Sequence, residues 1–215
     1  MFYGLVVHLS FEPAILLGIF GIIMFNLDRY FRMVYLLVFA SKKSISLRTP
    51  ICNFDAMNGI LCPQCESKLD QGALTKADVS AAIKLVKLSQ KIPQIDKFTL
   101  NSCRQSHGDY VLYLASQDIM TIRQSRELYR ILQGEFDGKI WLVHQDSDDK
   151  KLIEDVFFPI KILGINIVWA PGGMQKTKVI VSGRKTPRFP IDVDKVVAIA
   201  HDLRKIDLVV EFERK

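Results

Sequence analysis

Cys52, Cys62 and Cys65 fall within 14 residues of chain, and a fourth cysteine, Cys103, follows at a distance. The run Cys62-Pro63-Gln64-Cys65 is a C-x₂-C pair. Such a pair lets two thiolates reach one Zn²⁺ from a single tight turn, and tetrahedral zinc then needs two more ligands at about 2.0–2.3 Å. Cys52 supplies the third. Two residues compete for the fourth place. Asp55 stands where a second C-x₂-C starting at Cys52 would put its last cysteine, and a carboxylate can ligate zinc. Cys103 offers a thiolate if the end of its strand folds back onto this knuckle. A segment this short cannot build its own core, so a structural Zn²⁺ would hold it together.

Two other readings of these cysteines compete with metal. They are inert, or Cys62 and Cys65 form a redox dithiol, since Cys62-Pro63-Gln64-Cys65 has the spacing of a thiol-disulfide oxidoreductase site. Against the redox reading, no apolar strand precedes the pair and Glu66 to Gly72 reads as a poor helix. The spacing also suits a metal better than a secreted disulfide framework, and no cleavable signal is clear, so a reducing cytoplasm is expected. No nucleophile, base and orienting group stand together, so the chain reads as a non-enzyme.

A second chemistry lies in the cations. Arg123, Arg126 and Arg130 recur at helical spacing, with Gln124 and Ser125 between the first two. Such a stripe can track phosphates. The plainer alternative is a solvated helix face paired with Glu127 and Asp118. Lys176, Lys178, Arg184, Lys185 and Arg188 form a second basic set. The whole chain of 215 residues carries +6, from 29 basic and 23 acidic residues. That is mildly basic, which permits nucleic-acid binding without demanding it.

The elements that must position these residues come as two copies of one order. From about Thr75 to His144 the pattern runs helix, strand, strand, helix, helix, strand. Thr75 caps the first helix with Asp78 reaching back as in a capping box. Phe98 to Cys103 and Tyr110 to Ala115 alternate as strands around the turn Ser106-His107-Gly108-Asp109, where His107 and Asp109 read as solvated turn residues. Asp118 to Ile122 and Glu127 to Gly134 are helical, and Lys139 to Val143 closes the unit. From about Asp148 to Phe212 the order repeats. A helix over Asp148 to Phe158 is followed by strands over Ile160 to Ala170 and Lys176 to Ser182. Where a short helix would come next, Pro187 and Pro190 make an extended path. Asp192 to Arg204 is the last helix. The closing strands share wording at an offset of 66 residues, Lys139-Ile140-Trp141-Leu142-Val143 and Lys205-Ile206-Asp207-Leu208-Val209. That offset suits a small α/β domain.

Residues 1–49 stand apart. Ala14 to Phe25 is an unbroken run of 12 apolar residues or glycines, and Met33 to Ala40 is a second apolar run. Each is shorter than the roughly 20 residues that cross a bilayer. The segment reads as an extension translated from an upstream start. If it inserts in a membrane, Arg29, Arg32, Lys42 and Lys43 would hold its C-terminal side in the cytoplasm. The expected division is residues 1–49 as extension, 50–72 as zinc knuckle, and 73–146 and 147–215 as the repeats.

Residues 50–215 resemble the archaeal NusA-like proteins of transcription elongation and termination. The resemblance is carried by Leu61-Cys62-Pro63-Gln64-Cys65-Glu66-Ser67-Lys68-Leu69, by the run from Leu152 to Asn166 and by Val209-Val210-Glu211-Phe212-Glu213. It implies an α+β fold of two consecutive KH-type domains (αββααβ) behind a cysteine knuckle. It also implies that single-stranded RNA is the ligand, with RNA polymerase or another transcription or translation protein as a further partner. In that family RNA crosses a GxxG loop between two helices. Here the first such loop aligns with Arg123-Gln124-Ser125-Arg126 and the second with Phe189-Pro190-Ile191-Asp192, and neither keeps a glycine. Asp55 also stands where the family tends to have cysteine. The degenerate loops leave open a KH-type scaffold that binds protein in place of RNA.

Overall fold

The computed structural model describes residues 46–169, 171, 173–186 and 189–213. The chain divides between Ser44 and Ile45, earlier than the boundary expected after Thr49. Ser46 N–H donates to Asp96 Oδ1 at 3.0 Å. Arg48 donates its N–H to the Phe98 carbonyl at 3.0 Å, and its carbonyl accepts the Leu100 N–H at 2.9 Å. Between them Leu47 is 1 % exposed. One buried leucine flanked by strand-like bonds belongs to the fold, but three residues carry too little periodicity to show it in a sequence. The apolar runs before Ser46, with the membrane and upstream-start readings of them, lie outside the described residues. Among the described residues no helix is long and apolar enough to cross a membrane.

Two short helices open the fold, α1 (Asn53–Asn58) and α2 (Pro63–Asp70). The first unit follows as α3 (Lys76–Lys91), β1 (Leu100–Ser106), β2 (Asp109–Leu114), α4 (Ser116–Gln124), α5 (Arg126–Glu135) and β3 (Ile140–His144). The second unit is α6 (Asp149–Val156), β4 (Ile162–Trp169), β5 (Gln175–Val181), α7 (Val193–Arg204) and β6 (Leu208–Phe212). Helix starts are sequence-coded. Thr75 and Asp78 form the full capping box on α3, and Asp148 and Asp192 accept first-turn N–H groups of α6 and α7. No helix stands between β5 and α7 among the described residues, as the prolines require. The second unit therefore departs from the expected αββααβ order by one helix.

Each sheet has three strands in sequence order, the first pair antiparallel and the second parallel. The β1–β2 hairpin turns on His107 (φ 49°) and Gly108 (φ 81°). Two positive φ values are what a two-residue primed turn demands. Gly138 passes so close beneath this turn that a Cβ there would sit 1.9 Å from the Gly108 carbonyl oxygen. No other residue fits that crossing.

The sheets are not independent domains set side by side. Leu112, Leu114, Ile140 and Leu142 face a core shared with α1 to α5. The alternate residues Val111, Trp141 and Val143 face a second core shared with α6, α7 and the second sheet. A strand with both faces buried must carry apolar residues at consecutive positions, and Ile140-Trp141-Leu142-Val143 does so.

Leu47→Ala should lower stability by about 3 kcal/mol, the scale of a buried leucine truncation. Urea unfolding of the full chain measures it. A loss under about 0.5 kcal/mol, the scale of an ordinary surface change, would return Leu47 to the extension.

Candidate metal centre and nucleic-acid interface

Cys52 and Cys62 occupy equivalent places. Each is the N-cap of a helix, α1 and α2, and each is followed in the first turn by a second candidate ligand, Asp55 and Cys65. The chain thus uses one turn twice, with both helix starts aimed at a single point. One ligand atom from each of Cys52, Asp55, Cys62 and Cys65 lies within 4.8 Å of all the others. In a tetrahedral site with bonds near 2.3 Å the ligand atoms stand about 3.8 Å apart. The group therefore needs to contract by an ångström or less.

Asp55 fits a ligand's role in detail. It is fully buried, its Oδ2 accepts the Cys62 N–H at 3.0 Å, and its Oδ1 is buried with no hydrogen-bond partner. A buried carboxylate oxygen without a partner is costly unless something cationic meets it. The Cys62 N–H, against the cost of burial, holds the Asp55 carboxyl far below the usual carboxylate range. Burial pushes the Cys65 thiol up to about 12. The Cys52 thiol is also raised. The Asp55 N–H favours its thiolate, but burial and the Asp55 carboxylate outweigh that. Left alone, Cys52 and Cys65 keep their protons, and a metal has to displace them.

Cys103 is outside this group. It is fully buried in the first core, its N–H donates to Asp78 Oδ1 at 2.5 Å, and burial pushes its thiol up to about 12. The capping box explains why. Asp78 closes it with one oxygen and ties the β1 backbone with the other. One sequence argument is also corrected. Glu66 to Asp70 is helical, because Pro63 at the first position and Cys62 at the cap start α2 cleanly.

The basic stripe divides. Helices α4 and α5 are joined by Ser125 alone, whose Oγ accepts the Leu128 N–H at 3.2 Å. Ser125 has φ −106°, a conformation any residue adopts, so the missing glycines are not required by this turn. Arg123 is not a free cation. Its Nη2 donates to Asp155 Oδ1 at 3.2 Å and to the Leu142 carbonyl at 3.3 Å, and its guanidinium lies 4.2 Å from the Phe158 ring centre. It joins the two units, and neither Glu127 nor Asp118 is its partner. Gln124, Arg126 and Arg130 are exposed.

Arg126 borders a cleft of about 520 Å³ whose walls include Tyr129, Lys139, Trp141, Phe158 and Pro190. The Lys139 ammonium sits 4.1 Å from the Trp141 ring centre, and burial lowers its pKa. The cleft thus brings cations together with apolar and aromatic side chains, and Asp155 also lines it. Of these walls only Pro190 lay in a loop expected at the RNA site, while Lys139 and Trp141 stood on a closing strand with no site role expected of them.

The second basic set does not converge. Lys176 and Lys178 alternate with core residues of β5 and so stand on the face away from α7, and Lys178 pairs with Glu211 at 2.8 Å. Arg184 and Lys185 are exposed in the connection after β5, and Arg188 lies outside the described residues. Asp109 also departs from expectation. It is 3 % exposed and accepts from Lys139 N–H, Trp141 Nε1 and Lys195 Nζ, each at 3.2 Å. It is a buried tie between the units, whereas His107 stays exposed beside Asp202.

Asp55→Ala should abolish retention of a stoichiometric metal, while Cys103→Ser keeps the metal and loses about 1–3 kcal/mol from a hydroxyl in the core. Elemental analysis with thermal melts separates the two, and the reverse pattern would make Cys103 the ligand. Arg123→Ala should cost about 2–3 kcal/mol through its buried partner, against near zero for Arg130→Ala, as read by urea unfolding. No family model matches the chain, and no curated protein sequence matches it significantly.

Proposed function

We propose that this chain is an RNA-binding factor of transcription elongation or termination. It is built as two KH-type domains behind a structural zinc knuckle and works in the reducing cytoplasm. The observation that carries the reading is the cleft beside the α4–α5 turn, lined by the cations Arg126 and Lys139 and by the accessible rings of Tyr129 and Phe158. Single-stranded RNA needs cations for phosphate and flat apolar surfaces for unstacked bases. The order of elements and the knuckle fit the same reading. Three thiols and one carboxylate around one point suit Zn²⁺.

A protein-binding role for the same surface is the second reading, with RNA polymerase as the partner the family resemblance suggests. It is favoured by the α4–α5 turn, where Ser125 caps α5 through its own hydroxyl and Arg123 is withdrawn into the join. A thiol-disulfide role for Cys62 and Cys65 is weaker, because Cys52 and the unpartnered Asp55 oxygen crowd the same point.

RNA contact through side chains should be salt-dependent and weakly sequence-specific. Removing Arg126 and Arg130 together should lower affinity for unrelated single strands alike. It should also reduce the slope of log K against log salt by about 1.4, at roughly 0.7 per phosphate contact. Filter binding at several salt concentrations measures both. No binding by the wild-type chain even at low salt would leave the protein-binding reading.

A further inference from the structure

The molecule treats its sheet edges differently. Along β3, side chains take the outward backbone groups. Gln133 Oε1 accepts the Ile140 N–H at 3.0 Å, and the Tyr129 hydroxyl donates to the Ile140 carbonyl at 3.4 Å. Arg123 donates to the Leu142 carbonyl at 3.3 Å, and Asp155 accepts the His144 N–H at 3.0 Å. This seals the strand against pairing. Strand β4 is the first strand of the second sheet and lies at its edge. Among the described residues no side chain bonds its outward backbone groups.

Strand β4 also lacks the usual protection by charge. None of its eight residues, Ile162–Trp169, is charged. Three large apolar side chains stand out from it, Leu163 at 46 %, Ile167 at 61 % and Trp169 at 71 % exposure. A groove of about 550 Å³ runs beside it against α6, lined by Ile153, Ile160, Ile162 and Ile165 and also by the charged residues Asp149, Lys150 and Glu154 of α6. The pairing with β5 is irregular only between Ile162 and Gly164, so Gly164 to Trp169 is a regular edge.

We propose that β4 pairs antiparallel with β4 of a second copy of this chain, joining the two second sheets into one six-stranded sheet. The strand's own lack of charge admits this occupant. In a twofold pairing each residue meets its own strand, so any charge near the centre would face its like, and this strand has none. A twofold at Asn166 sets Ile167 beside the second copy's Ile165 and Trp169 beside its Leu163. The exposed apolar side chains of each copy then cover the open groove of the other. The contact is about 23 Å long, from seven residues, 163 to 169, at 3.3 Å. It is one sheet and one helix deep, roughly 20 Å. That gives roughly 500 Å² per copy, the range of weak and reversible association.

The test traps the pairing in the full chain. Asn166→Cys places two thiols at the twofold, where facing Cα atoms stand about 4.5–5.5 Å apart, within the span of a disulfide. Mild oxidation should give a covalent dimer at least about fivefold above the wild-type chain, whose native cysteines set the background. Val209→Cys on β6, the opposite edge, should stay at background. Adding Ile167→Lys to Asn166→Cys should return the dimer to background with an unchanged circular dichroism spectrum. Ile165→Cys and Ile167→Cys serve as neighbouring registers. If all three cysteine positions remain at background, the proposal is overturned. Ready labelling of these thiols in a monomer would then leave the edge open to another protein's strand. Protection of them in a monomer would assign the edge to an apolar run of the same chain. A dimer that survives Ile167→Lys overturns the proposal as well.

Discussion

Asp155 is a carboxylate with 1 % of its side chain exposed, placed where the two α/β units meet. A charge so placed costs several kcal/mol unless its partners are fixed around it. Here the closest come from the other unit, with Lys151 of its own helix farther off at 3.9 Å. Arg123 reaches it from α4, and His144 reaches it with both its N–H and its ring Nδ1, the latter at 2.6 Å. Asp109 answers from the opposite side. It belongs to the first unit and receives Lys195 from α7 of the second. Strand β3 is therefore clamped at both ends, by Asp109 at Lys139 and by Asp155 at His144. With the ends fixed, alternation does the rest. Trp141 and Val143 must face the second unit while Ile140 and Leu142 face the first.

That join decides what is left for a ligand. Arg123 looked like the first cation of a phosphate stripe, but the buried carboxylate opposite withdraws it from solvent. The residues that remain reachable are Arg126 and Arg130 on α5 and Lys139 at the foot of β3. The same join brings Phe158 and Pro190 of the second unit up to the cleft, so its wall is shared between units. A surface assembled from both units can act only when the join is made. Binding at the cleft and stability of the join are coupled for that reason.

Elements with local codes were legible in the sequence. The Thr75–Asp78 box forms as expected, the helices expected from Asp148 and Asp192 start one residue later with those aspartates as their caps, and the strands form within three residues of their expected ends. What stayed hidden was whatever depends on a partner far along the chain. Asp109 read as a turn residue because nothing local reveals Lys195, which is 86 positions away. Leu47 read as part of the extension because the strand-like bonds beside it, made by Arg48, go to Phe98 and Leu100. Cys103 remained a candidate ligand because only the fold shows Asp78 holding its backbone in the core. Cys52, Cys62 and Cys65 were legible as a cluster because their spacing is itself the signal, while the sequence left the fourth place open between Asp55 and Cys103.

The helix at Pro63–Asp70 cuts in two directions. A C-x₂-C pair at a helix start is also what a redox dithiol uses, because the helix end favours a thiolate. The surroundings of this pair oppose that use. Redox chemistry needs a thiolate that is reachable and stabilised, whereas burial pushes Cys65 up to about 12 and the Asp55 carboxylate stands within reach of both sulfurs. A carboxylate beside a thiolate is a repulsive neighbour in a dithiol and a useful one around a dication, where each negative ligand adds to the attraction. The three thiols and Asp55 could together hold a cation, which would meet the Asp55 oxygen that has no partner. Asp55 Oδ2 accepts the Cys62 N–H, which anchors the carboxylate and leaves the buried Oδ1 for a cation.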